Sequence, residues 1–166
     1  MSNRIKLLLL MILMAAPVMA SWSMHLFKVG IPEQQTAKGD LLPELPPLAE
    51  WPLDWQADGR WWLVMAADQE CAAVCDQQAD KLWRIHRALG REAERVFRLR
   101  AGGDDALPGE VAEAWTGLPP EGVEPGKAWI VDPQGQVVLA YQADVEPGDI
   151  HRDLMRLLRI NQDQGR

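Results

Sequence analysis

The sequence predicts an α/β domain, a central mixed sheet flanked by helices, behind one N-terminal transmembrane helix. Three observations predict it. The chain opens with a run free of acids, lysine and arginine from Leu7 to Phe27. Short apolar or alternating stretches then recur as strands, at residues 61–67, 95–99, 128–131 and 137–141. Apolar residues three and four apart mark helices over residues 71–89 and 149–160.

Arg4 and Lys6 precede the apolar run and Lys28 follows it; His25 carries its only titratable ring. At ~1.5 Å per residue such a run covers roughly the ~30 Å of a bilayer's hydrocarbon core. Basic residues ahead of the span place the N-terminus inside and the rest outside, a single-pass protein of the cytoplasmic membrane with a periplasmic domain. A cleaved signal peptide is the rival reading, because Val18-Met19-Ala20 before Ser21 offers a small residue at a cut. Both readings export the domain. The division expected is residues 1–28 as cytoplasmic stub and anchor, 29–58 as a Pro-rich tether and lead-in, and 59–166 as the folded domain.

Within the lead-in, Pro43, Pro46, Pro47 and Pro52 break any helix. Leu41, Leu42, Leu45, Leu48, Trp51, Leu53 and Trp55 are too apolar for a free linker, so some of them pack on the domain or dock a partner. Asp58-Gly59 is a turn. The run from Trp61 to Ala67 is continuously apolar, as in a buried central strand, with Trp61 and Trp62 on opposite faces. Cys75, Ala79, Leu82, Ile85 and Leu89 form one face of the next helix, and Gly90 stops it. Residues 95–99 alternate as a second strand, and Val111 to Trp115 reads as a short helix. Two further strands flank the turn Asp132-Pro133-Gln134-Gly135, and the closing helix buries Ile150, Leu154, Leu157 and Leu158. A βαβ unit followed by ββα is the thioredoxin arrangement, in which a right-handed crossover puts the first strand inside the sheet.

Composition narrows the function. Of 17 basic residues only Arg4 and Lys6 precede the apolar run, and none of the 24 acidic ones does, so the remainder is more acidic than the net charge of −7. That excludes nucleic acid, whose phosphates need a cationic face. No P-loop, GxGxxG, HExxH or Ser-His-Asp order is present, so nucleotide and hydrolase readings have no support.

The two cysteines, Cys71 and Cys75, follow the first core strand, where chemistry gathers in open α/β sheets. A spacing of four places them on one side of a helix. At a helix start, a Cys71 thiolate gains from the helix dipole. Two soft thiolates suit Cu(I), and an exported location also permits a disulfide. Asp68, Glu70 and Asp76 oppose a thiolate, while a bound cation would favour one. A static disulfide or two buried small residues is the plain alternative.

Cys71-Ala72-Ala73-Val74-Cys75 after the first core strand, with Ala128-Trp129-Ile130-Val131-Asp132-Pro133-Gln134-Gly135-Gln136-Val137 much later, resembles the Sco/SenC proteins over residues 45–160. These are membrane-anchored copper-handling proteins of cytochrome c oxidase assembly. The chain is more similar still to a branch of small anchored proteins with a stretch like Arg87-Ala88-Leu89-Gly90. The resemblance implies a thioredoxin fold, copper held by Cys71 and Cys75, thiol–disulfide work, and a cytochrome c oxidase subunit or assembly factor as partner. The family's distant copper-binding histidine has no counterpart; its place falls near Glu124.

His86 lies almost three turns past Cys75 and reads as a packed or partly exposed helix residue; His151 begins the closing helix and reads as facing solvent or capping a charge; Met65 reads as core. The leading expectation is an oxidase-assembly accessory factor, not an enzyme, that handles copper or thiol redox state through Cys71 and Cys75. The alternatives are a tethered interaction module that has lost its copper site, and an extracytoplasmic thiol–disulfide oxidoreductase.

Overall fold

The computed structural model describes residues 3–27, 37–41, 44–68, 72–103 and 106–161. It divides into two compact units, Met1–Thr36 and Ala37–Arg166. The first holds α1, a 25-residue helix over Asn3–Phe27 with Pro17 inside it. Its described apolar side chains, Leu7, Leu10 to Met14 and Met19 among them, are exposed. Among the described residues no helix is long and apolar enough to cross a membrane.

The second unit is one six-stranded mixed sheet. Its strands are β1 (Asp40–Leu41), β2 (Trp61–Ala66), β3 (Val96–Ala101), β4 (Glu110–Glu113), β5 (Ala128–Val131) and β6 (Val137–Tyr141), in the order β1-β6-β5-β2-β3-β4. β2, β3 and β4 run parallel, and β5 pairs antiparallel with β2 and β6. Every residue of β2 is buried, as its unbroken apolar run requires of a central strand. The helices are α2 (Ala72–Ala88) and α3 (Pro147–Ile160).

Alternation along β2 separates two cores. Trp61, Leu63 and Met65 pack with Ala79, Leu82, Ile85 and Leu89 of α2 and with Ile150, Leu154 and Leu158 of α3. Trp62, Val64 and Ala66 pack with Leu48, Trp51, Trp55 and Trp129. The two tryptophans do face opposite ways. Neither α2 nor α3 contributes a residue to this second core. The Pro-rich lead-in does so, with Trp51 edge-on to Trp129 and stacked near Trp115 at centroid distances of 5.4 and 6.1 Å. The Trp51 indole N–H donates to the Pro46 carbonyl at 3.0 Å, and the Leu48 N–H reaches the Gly135 carbonyl in the β5–β6 turn at 2.8 Å.

The start of this unit is pinned by one buried carboxylate. Asp153 Oδ2 accepts from the backbone N–H of Lys38 at 2.7 Å and of Gly39 at 3.2 Å, and from the Tyr141 hydroxyl at 3.1 Å. A Cβ on Gly39 would lie 2.6 Å from the Tyr141 ring, so only glycine lets the chain pass here.

One expected element is corrected. Val111 to Trp115 is not a short helix: residues 110–113 form β4, paired with β3 from Arg98↔Glu110 to Ala101↔Glu113. The open edge of β3 offers a ladder of backbone partners, and that tertiary gain overrides the weak helical composition of Val-Ala-Glu-Ala.

Candidate functional site

Cys75 lies in the first turn of α2, 2% exposed, inside the apolar core of the helix-covered face. It is disulfide-bonded. The chain holds only two cysteines; the other, Cys71, lies outside the described residues, as do Gln69 and Glu70. Cys75 Sγ sits 3.6 Å from the carbonyl oxygen of Ala66, the last residue of β2. A disulfide sulfur has no hydrogen to donate, so this is a contact; on reduction the thiol would have that oxygen as its acceptor. Cys75 therefore stands at the C-terminal end of the central strand.

The same carbonyl accepts the Gly126 N–H at 2.9 Å, and the Ala66 N–H donates to the Lys127 carbonyl at 3.2 Å. A Cβ on Gly126, whose φ is +84°, would stand 2.9 Å from Cγ1 of Val74. The loop before β5 therefore lies against the residue just ahead of Cys75. This is the loop in which the resemblance seeks a third copper ligand. Glu124 does not supply one: its carboxylate is two-thirds exposed and ion-paired with Lys127 at 3.1 Å.

Lys81 is the nearest cation along α2, and its ammonium is spent elsewhere, donating to the carbonyls of Ala143 at 2.6 Å and Val145 at 3.0 Å. Burial pulls its pKa below the usual lysine value, opposed by Asp144 and Glu146. His86 is a structural residue, with Nε2 near the carbonyls of Ala93 and Val96 at 3.1 and 2.9 Å; both are acceptors, which assigns the proton to Nε2. His151 is half-buried on α3, and Met65 is wholly buried core.

Sequence reasoning missed a set of buried polar groups on the α2 side of the sheet. Arg98 and Arg100 of β3 are 1% and 5% exposed, and the Arg100 Nε stands 3.4 Å from Glu110 of β4. Gln78, one turn past Cys75, is 1% exposed, with no partner for either amide atom. The alternation Arg98, Leu99, Arg100 was the only signal, and it normally marks a solvent face; here a helix and β4 close over it.

A copper centre does not assemble from these groups. The Cys75 sulfur is committed to a disulfide, Glu124 is turned to Lys127, and among the described residues no three His, Cys, Asp or Glu side chains form a metal-holding group.

The family model described as "Transmembrane-like, thioredoxin-like, C-terminal domain" matches residues 61–120 and 110–161, more than half of the chain. The chain belongs to this family. Solved structures agree on the family's fold. The apo Sco1 protein of Thermus thermophilus matches with a TM-score of 0.52 at 18% identity, over 76% of this chain and 99% of that one. Arabidopsis thaliana ScoI with copper bound matches with a TM-score of 0.50 at 9% identity, over 63% and 87%. At such identities the likeness concerns the fold. No curated protein matches the chain. Family membership and these structures establish a Sco-like thioredoxin fold, a mixed sheet flanked by helices.

Proposed function

We propose that this protein is a membrane-tethered, Sco-like accessory factor of cytochrome c oxidase assembly that acts as a dithiol–disulfide couple through Cys71 and Cys75. The observation that carries the reading is the oxidised, buried Cys75 at the end of the central strand of a thioredoxin-like sheet. In the exchange, a partner dithiol gives up two electrons and two protons and leaves with its own disulfide, while the chain's disulfide becomes two thiols. Cys71, next to the start of α2, is the sulfur to be attacked and to attack. Cys75, sealed from water with Ala66 as acceptor, is the buried partner of the couple. An oxidised pair suits an exported domain, and in the sequence the run Leu7–Phe27 behind Arg4 and Lys6 supports a tether with its N-terminus inside.

A tethered interaction module is the second reading, favoured by the missing third ligand at Glu124. The copper reading needs the pair reduced, whereas Cys75 is disulfide-bonded, so no step is assigned to copper.

The test is to equilibrate the full chain with thiol–disulfide buffers and count modified thiols. It is paired with oxidase copper loading in cells that carry Cys71→Ser, Cys75→Ser or both. A single two-electron transition and reduced loading in every variant are expected. Normal loading with both thiols absent would favour the interaction module. Stoichiometric Cu(I) uptake by the reduced chain, dependent on both cysteines, would restore the copper reading.

A further inference from the structure

Away from Cys75, α2, the start of β3 and the Leu107–Gly109 turn line an open pocket of about 790 Å³. Its walls are apolar, formed by Trp83, Ala93, Leu107 and Pro108, and Arg98 also lines it. Cavities of roughly 300–1,000 Å³ with apolar walls and a few fixed polar groups are those that hold small molecules.

Arg98 is the unusual member. Its side chain is 1% exposed; Nη2 donates to the Pro108 carbonyl at 2.5 Å, and Nε and Nη1 have no partner. The obvious counter-ion is Glu110, directly across the β3–β4 register. That carboxylate stands 3.4 Å from Arg100 Nε and accepts the Leu107 N–H at 3.0 Å. Two buried guanidiniums thus share one carboxylate, and the corner beneath the cavity has an excess of positive charge. A buried cation without a full counter-charge is costly, and an anion brought to it recovers part of that cost.

The other polar groups of the lining are occupied. Asp80 is ion-paired with Arg84 at 2.7 Å, and His86 Nε2 is held by two carbonyls. Arg87 places its guanidinium over the Trp83 ring at 5.2 Å, adding a second cation at the wall.

We propose that this cavity binds an organic carboxylate, its head on the unmatched Arg98 donors and its apolar body against Trp83 and Leu107. A charge-assisted hydrogen bond to a closed-off guanidinium fixes the head. The donors are closed to bulk water, so seating the head requires the Leu107–Gly109 turn to move outward. The proposal is independent of the cysteine pair.

The probe is 4-fluorobenzoate, followed by fluorine NMR on the full chain, with neutral 4-fluorobenzamide and inorganic phosphate as comparators. Saturable binding at about millimolar concentration is expected. The amide, and the variants Arg98→Met and Ala93→Phe, are each expected to bind at least about tenfold more weakly. Ala93→Phe fills the cavity and leaves Arg98 in place, so it decides the matter should Arg98→Met fail to fold. Equal binding of the amide, retained binding in a folded Arg98→Met or in Ala93→Phe, or no saturation by the benzoate would overturn the proposal. Phosphate binding as tight as the benzoate would overturn the organic-body half.

Discussion

On one face of the sheet, α2 and α3 lay down Ala79, Leu82, Ile85, Ile150, Leu154 and Leu158 in regular register. On the other, an irregular stretch sets Leu48, Trp51 and Trp55 against Trp62 and Trp129. Both faces are dry, yet the means differ. A helix satisfies its own backbone and needs only one apolar stripe. An irregular segment must find a partner for each buried backbone and indole N–H. It does so only in part: Leu48 N–H reaches Gly135 O and Trp51 Nε1–H reaches Pro46 O, while the Trp55 indole N–H is buried without a hydrogen-bond partner. Large aromatic side chains compensate for sparse secondary structure, because each removes a large area from water. The comparison explains why the tryptophan-rich lead-in cannot be a free tether throughout. It also places Cys75 on the helical face, where α2 delivers it to the strand end.

The largest effect that would break this comparison comes from truncation. A chain beginning at residue 59 loses Leu48, Trp51 and Trp55, each contributing about 1.5–3 kcal/mol by burial. It also uncovers Trp62 and Trp129. Against a typical domain stability of about 5–15 kcal/mol, that chain is expected to show no cooperative thermal transition by circular dichroism. A chain beginning at Ala37 is expected to keep one. A sharp transition in the shorter chain would mean that the lead-in is dispensable.

A single substitution gives the next effect. Trp51→Ala is expected to cost about 3–5 kcal/mol in denaturant unfolding, within the same range as Leu82→Ala on the helical face at about 2–5 kcal/mol. A cost under about 1 kcal/mol at Trp51 would show that the second face tolerates a void that the helical face does not.

The smallest effect is a pH dependence at the pin that starts the lead-in. Burial, with Asp153 beside it, pushes the Tyr141 hydroxyl well above its ordinary value of 10.0. Above that value the unfolded chain releases the proton and the folded chain keeps it, so the folded state binds more protons and stability falls as pH rises. The slope is at most about 1.4 kcal/mol per pH unit. Tyr141→Phe is expected to remove this slope between pH 10 and 11 while lowering stability at pH 7 by about 1 kcal/mol. An unchanged slope would mean that Tyr141 does not govern the alkaline limit.

Much of the helical half was legible. The apolar run from Trp61 to Ala66 needs burial on both faces, and the spacing Cys75, Ala79, Leu82, Ile85, Leu89 fixes which side of α2 turns inward. Those patterns are local, and they put Cys75 at the strand end before any coordinates. The segment 110–113 was misread because its strand character comes from the free edge of β3, a partner supplied by distant chain. Arg98 falls at a polar place in the alternation of residues 95–99, and nothing nearby in sequence says that Glu110 and α2 will close over it and Arg100.

The sequence by itself determined the order of the elements other than β4, the interior position of the first core strand, and the place of Cys75 at the end of that strand. These follow from periodicities of two and about 3.6 and from the handedness of a βαβ crossover. Tertiary structure alone decided two things: that the lead-in replaces a helix on one face, and that Arg98 lies under a cavity without a full counter-charge. The physical reason is common to both. Each depends on which unpaired edge, charge or apolar face lies nearest in space, and that nearness is set by packing between segments far apart in the chain.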